Sequence, residues 1–198
     1  LRVAGVMRRA GLQLGRLPEL GSAIGLDRRG VVMQPSIAIC PDVNRDDSAW
    51  PLLHWQALVA HLRERYSDHR LRLVLASPQS SYRELAALAG VQYLPSVSFD
   101  HFAAVLAESA LVICAEGGTS HLAPAFGTPV IVLSGKTIAR TWMPWTHGAV
   151  VLEAPGRIAD IKPDEVLQQA DAWLRATAWC ATPHANFHDS SCQQNSRS

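Results

Sequence analysis

The stretch CAEGGTSHLAPAFGTPV, Cys114–Val130, joins two apolar runs. The run before it, ALVICA (110–115), and the run overlapping its end, PVIVL (129–133), are short, continuous and rich in β-branched residues. Strands covered on both faces read that way. Residues 119–126 between them predict a short helix. Gly117 and Gly118 stand where the first strand turns into that helix. Such a turn makes an anion site, because the opening of a helix leaves N–H groups unpaired and carries a partial positive charge. Glycines with φ > 0 are expected there, letting a phosphate or another backbone come close. Thr119 and Ser120 would add hydroxyl donors, and His121, in the first helical turn, would reach the same anion.

Outward from this stretch the pattern repeats. SIAIC (36–40), LRLVLA (71–76), VQYL (91–94) and AVVL (149–152) read as further strands. Helices are expected at 51–66, 79–89, 99–108 and 162–176. In the first, Pro51 opens the helix and Trp55, Leu58, Val59 and Leu62 give a buried stripe. In the last, Pro163 and two acids mark the start. Strand and helix alternate roughly every twenty residues, which implies an α/β fold with a parallel, Rossmann-like sheet and helices on both faces. Residues 31–176 form that domain. Residues 1–30 are read as a basic amphipathic helix (1–15, with Val3, Val6, Met7, Ala10 and Leu14 on one side) and a linker. Residues 177–198 are read as a polar tail, expected to be disordered.

Ligands of such sheets bind at the carboxyl ends of the strands. The loop SGKTIARTWMPW (134–145) leaves the strand next to the glycine turn and brings Lys136, Thr137 and Arg140 to the same edge. Two loops of N–H, hydroxyl and cationic donors facing one cleft suit a diphosphate. Each element also has a plainer reading. The glycines would serve a tight turn, His121 would cap or pack the helix, and Lys136 and Arg140 would be solvated charges. Neither GxxxxGK[ST] nor GxGxxG is present, so the turn matches neither of those nucleotide motifs.

Composition narrows the class. A net charge of +1 gives no electrostatic case for nucleic acid. No apolar run approaches the ~20 residues that span a bilayer. The chain opens on Leu1 without a signal-peptide pattern, which reads as a fragment or excised domain. Cys40 and Cys114 end apolar runs and read as buried small hydrophobes. Cys180, His184, His188 and Cys192 recur every fourth residue. On a helix they would spread over about 18 Å, too far to share one metal. Pro183 opposes a helix there, so a loop-formed zinc site is the alternative to a plain tail.

The run SALVICAEGGTSHLAPAFGTPVIVLSGKT resembles the nucleotide-sugar motif of the heptosyltransferase-type glycosyltransferases, glycosyltransferase family 9. IAICPDVNRDDSAWPLLHWQALVAHL resembles that family's proline loop and following helix, and TWMPW its Trp-x-Pro loop. The likeness covers roughly residues 31–176. It implies one half of a two-domain GT-B fold, the half that binds a nucleotide sugar such as ADP-heptose. The acceptor, a lipopolysaccharide or other lipid-linked glycan, and the catalytic acid belong to the other half. By that resemblance Glu116 holds the family's acidic position. Gly117, Gly118 and Thr119 give backbone donors to the diphosphate beside His121, and Thr137 lines the same site. The implied enzyme inverts the sugar, needs no metal or cofactor, and works in the cytoplasm at the inner face of the inner membrane, with at most peripheral membrane contact. Departures are visible. Pro41-Asp42 replaces the family's Pro-Gly, Ser48 stands at its lysine with Arg45 as a substitute, and Ser77, Gln79 and Ser80 replace a Gly-rich turn and a ribose-binding acid. Pro124 stands where the family prefers a small residue. A non-catalytic binding or assembly domain derived from the family, and a sugar epimerase of GT-B type, are the competing readings.

Overall fold

The computed structural model describes residues 34–43, 48–95, 98–135, 148–154 and 156–181. The expected helix at 1–15, its linker and residues 182–198 lie outside them. Six strands form one sheet: β1 (Gln34–Cys40), β2 (Arg70–Val74), β3 (Val91–Leu94), β4 (Ser109–Ala115), β5 (Val130–Ser134) and β6 (Ala149–Glu153). Their order is β3-β2-β1-β4-β5-β6, and every pairing is parallel. The chain builds outward from β1 to β3, then returns to lay β4 on the other side of β1. The strand order therefore reverses between β1 and β4, where Cys40 faces Cys114 in register.

Side-chain alternation sends each strand's residues to two separate cores. On one face Ile37, Ile39, Leu71, Leu73, Leu111, Ile113, Ile131 and Leu133 pack beneath α1 (Leu52–Arg65) and the last helix, α4 (Pro163–Ala181). Trp55, Leu58, Val59 and Leu62 of α1 are its buried stripe, as the spacing predicts. On the other face the smaller Ala38, Cys40, Val112, Cys114, Val130 and Val132 pack beneath α2 (Phe99–Glu108) and α3 (Gly118–Ala125).

Two elements differ from expectation. The helix expected at 79–89 is a 3₁₀ helix, Ser81–Ala87, capped by the Ser80 hydroxyl, which accepts from the Tyr82 amide at 3.1 Å. The Tyr82 hydroxyl donates to the Trp50 carbonyl at 2.8 Å and fixes the segment from its other side. α4 runs to Ala181, five residues past the expected end at 176. It is fastened to α1 around Asp171, which accepts from the Tyr66 hydroxyl at 2.5 Å and pairs with Arg65 at 2.8 Å. Burial, then the hydrogen bond and charge of Asp171, push the Tyr66 hydroxyl up to about 12.

Candidate functional site at the strand-order reversal

Open parallel sheets bind ligands where the strand order reverses, outside the carboxyl ends of the strands. At that place β4 ends in Ala115 and the chain passes through Glu116 and Gly117 into α3. Gly117, the N-cap of α3, makes no side-chain cap hydrogen bond, so the first amides of the helix are left without that partner among the described residues. The Ser120 amide instead bonds the Gly117 carbonyl at 3.1 Å.

The glycines act differently from expectation. Gly117 has φ 166° and ψ −165°, an extended conformation open to any residue. Gly118 is the first helical residue. The described glycines in the left-handed region are Gly90 and Gly127, the second of which ends α3. What Gly117 and Gly118 share is open space: beyond its chain neighbours and its own helix, a Cβ on either would meet no atom of the described residues within 4 Å. They keep a space clear in front of the helix end rather than relieving backbone strain.

The neighbouring side chains divide into two groups. Thr119 is half-buried and His121 exposed beside the helix end, as the sequence places them. Ser120 is corrected. It is buried, and its hydroxyl donates to the Gly117 carbonyl at 2.7 Å, leaving it no role as a donor to the cleft. Glu116 is half-buried and turned toward β5, where the Ser134 hydroxyl donates to its carboxylate at 2.9 Å. Its amide donates to the Leu133 carbonyl at 3.0 Å. Ser77 lies at the same sheet edge beyond β1, its hydroxyl donating to Gln79 Oε1 at 2.7 Å. Lys136, Thr137, Arg140 and Arg45 lie outside the described residues.

Beneath the edge, Cys40 and Cys114 are buried free thiols. Burial, and then the charge of Asp42, push Cys40 up to about 12; burial, and then Cys40, push Cys114 well above the ordinary thiol range. Both stay protonated and serve as floor rather than as nucleophiles. Among the described residues no three His, Cys, Asp or Glu side chains come together as a metal site. Cys180 lies in α4, while His184, His188 and Cys192 of the tail lie outside the described residues. No helix of the described residues is long and apolar enough to cross a membrane. A cavity of about 160 Å³ lies between α2 and β3, away from the reversal point, and its Arg72 and Glu108 pair with each other at 3.2 Å.

Sequence reasoning missed Asp42 and Trp50 as builders of this edge. Asp42 Oδ2 accepts from the Ala76 amide and Oδ1 from the Ser80 hydroxyl. Trp50 is fully buried, donates to the Ile161 carbonyl at 3.0 Å, and meets Trp55 edge-on with centroids 4.9 Å apart. The polar run from Asp42 to Ser48 carries no periodicity that would reveal either contact.

The model of glycosyltransferase family 9 (heptosyltransferase) matches residues 4–166. The chain belongs to that family. The match begins well before residue 31, where the resemblance of the motifs starts. Lipopolysaccharide heptosyltransferase 1 of Escherichia coli O18:K1:H7 is 32% identical over 115 residues, covering 57% of this chain and 35% of that protein. Its counterpart in Escherichia coli K12 is 34% identical over 96 residues, covering 47% and 30%. The chain thus spans about a third of the length of these relatives. Among solved structures, E. coli heptosyltransferase WaaC with ADP superimposes with a TM-score of 0.66 at 28% identity, over 71% of this chain and 44% of that one. E. coli ADP-heptose lps heptosyltransferase II superimposes at 0.65 with 22% identity, over 84% and 54%, a likeness of fold.

Proposed function

We propose that residues 31–176 are the nucleotide-sugar-binding domain of a family 9 glycosyltransferase. The whole protein then transfers a sugar, heptose from ADP-heptose, to a lipopolysaccharide or other cell-envelope glycan at the cytoplasmic face of the inner membrane. The observation that carries this reading is the uncapped opening of α3 at the strand-order reversal, with clear space before Gly117 and Gly118. The similar E. coli enzyme has been described both with ADP and with ADP-2-deoxy-2-fluoro heptose.

The chemistry follows from the donors. Glycosyl transfer leaves a nucleoside diphosphate on which negative charge grows as the sugar departs. Donors already aimed at that charge lower the barrier. The α3 amides, Thr119 and His121 supply them on one side. We assign the further hydroxyl and the cations to Lys136, Thr137 and Arg140, next along the chain after Gly135. These are anion-binding groups, and the transfer we propose is inverting and needs no metal. The group that deprotonates the acceptor lies in the other half of the enzyme.

Calorimetric titration of this chain with ADP, UDP, GDP and inorganic pyrophosphate tests the reading. A nucleoside diphosphate binding more tightly than pyrophosphate supports it. If none does, the nucleotide-sugar reading is wrong and the non-catalytic domain takes its place.

A further inference from the structure

Cys40 is the last residue of β1, and Cys114 the last but one of β4. These are the two central strands, and the two cysteines stand opposite each other in register. Both side chains enter the same core, beneath α2 and α3, beside Ala38, Val112, Ala123 and Val132. Both are free thiols, Cys114 fully buried and Cys40 6% exposed at the carboxyl edge of the sheet. Burial, and then the neighbouring Cys40, raise the Cys114 thiol, so the two sulfurs sense each other.

Strand spacing decides what such a pair can do. Neighbouring strands lie about 4.8 Å apart, and side chains opposite in register rise from the sheet side by side at about that spacing. A disulfide needs its Cβ atoms about 3.5–4.5 Å apart, so it would pinch the middle of the sheet. An ion held between two thiolates needs more room. With bonds of about 2.3 Å, a linear sulfur–metal–sulfur unit spans about 4.6 Å, which fits without moving either strand. The ligand set selects the ion. Zinc takes four ligands in nearly every structural site, and no third His, Cys, Asp or Glu joins this pair among the described residues. Thiolates are soft ligands, and among the ions they favour Cu(I) accepts two ligands in a line. The apolar side chains around the pair suit a soft ion of low charge.

We infer that Cys40 and Cys114 form a two-coordinate site for a soft monovalent cation, Cu(I), at the reversal point of the sheet. Burial keeps both thiols protonated at neutral pH, so the ion displaces the protons as it binds. Two thiols and Cu(I) yield a bis-thiolate copper anion and two protons, with no change of oxidation state. The unit carries one negative charge, not the two of bare thiolates, and the partially positive opening of α3 follows four residues beyond Cys114. The test uses the full chain with Cys180→Ser and Cys192→Ser, so that the tail contributes no thiol. Anaerobic titration with Cu(I) held by bicinchoninate measures affinity and stoichiometry, and X-ray absorption at the copper edge counts the ligands. The expected result is one Cu(I) per chain with two sulfur neighbours and no nitrogen or oxygen. Adding Cys40→Ala or Cys114→Ala should weaken binding about 100-fold or more, because each removes one arm of a chelate. Thermal unfolding of each variant checks that the sheet is intact. If alanine leaves a chain that does not fold, Cys40→Val and Cys114→Val, which fill the space of the thiol, take its place. Copper that binds as tightly after either substitution overturns the inference. So does a chain that takes no copper from the chelator, or copper with nitrogen ligands from the tail histidines.

Discussion

Replacing Gly118 by valine separates the ligand from the fold. The backbone at 118 is helical and its neighbour Gly117 is extended, so a side chain introduces no left-handed strain. A Cβ at 118 meets none of the described residues outside its own helix within 4 Å. Valine is a slightly better helix former than glycine, so stability should change by no more than about 0.5 kcal/mol. That is about 1–2 °C in Tm for a chain of this size. Binding should respond very differently. The methyl groups project into the space before the helix end, where a phosphate oxygen would approach the amides. A hydrogen bond to a charged oxygen is worth about 1.5–3 kcal/mol, so losing one weakens a nucleoside diphosphate about 10- to 150-fold. Gly118→Ala, with one carbon in place of three, should lose less. Thermal unfolding and calorimetric titration with ADP on the same preparations give both numbers. An affinity unchanged by valine would refute the assignment of that space to the diphosphate. A fall of many degrees in Tm would refute the backbone argument and restore φ > 0 at this turn.

Other expectations follow from neighbouring contacts. His121→Ala should weaken ADP by about 1–3 kcal/mol with Tm unchanged, since the side chain is exposed; unchanged titration with a lowered Tm would make it a packing residue. Ser36 is fully buried and its hydroxyl has no partner among the described residues, so Ser36→Ala should raise stability by up to about 1 kcal/mol in urea unfolding, and a loss would reveal a partner. Tyr66 holds its proton more tightly when folded, so its stabilising effect is complete below pH 10 and is lost as pH rises toward 12. Tyr66→Phe should flatten stability against pH across that window, and an unaltered slope would place the alkaline loss elsewhere.

The parallel sheet was legible because its signal is repetitive. Strands buried on both faces show as continuous apolar runs, and each of the six expected strands appears with its bounds displaced by no more than two residues. The glycine turn was legible as a place but not as a mechanism. Composition cannot tell a glycine that bends the chain from one that merely keeps a volume empty, and Gly118 is of the second kind. Ser120 illustrates a related ambiguity. A hydroxyl in a first helical turn can face outward or return to the chain, and here the nearby Gly117 carbonyl captures it. Asp42 was invisible for a third reason: its partners lie 34 and 38 residues away, and no local pattern encodes them.

If the opening of α3 takes an anion, the carboxylates near it require explanation: Glu116 directly precedes Gly117, and Asp42 follows the end of β1, where Cys40 pairs in register with Cys114. Two like charges at 4 Å repel by about 1 kcal/mol in water and about 4 kcal/mol near a protein surface. A helix opening contributes only about 0.3–2 kcal/mol toward an anion. An unrestrained carboxylate at the opening would therefore cancel the helix. The structure turns both away. Ser134 draws Glu116 toward β5, and Ala76 and Ser80 draw Asp42 toward β2. Each acid is thereby spent on fixing a neighbouring loop. The same bonds explain why serines recur along this edge. Ser80 and Ser134 are donors to these carboxylates, and under the proposed reading their bonds make each acid part of the wall rather than a competitor of the ligand.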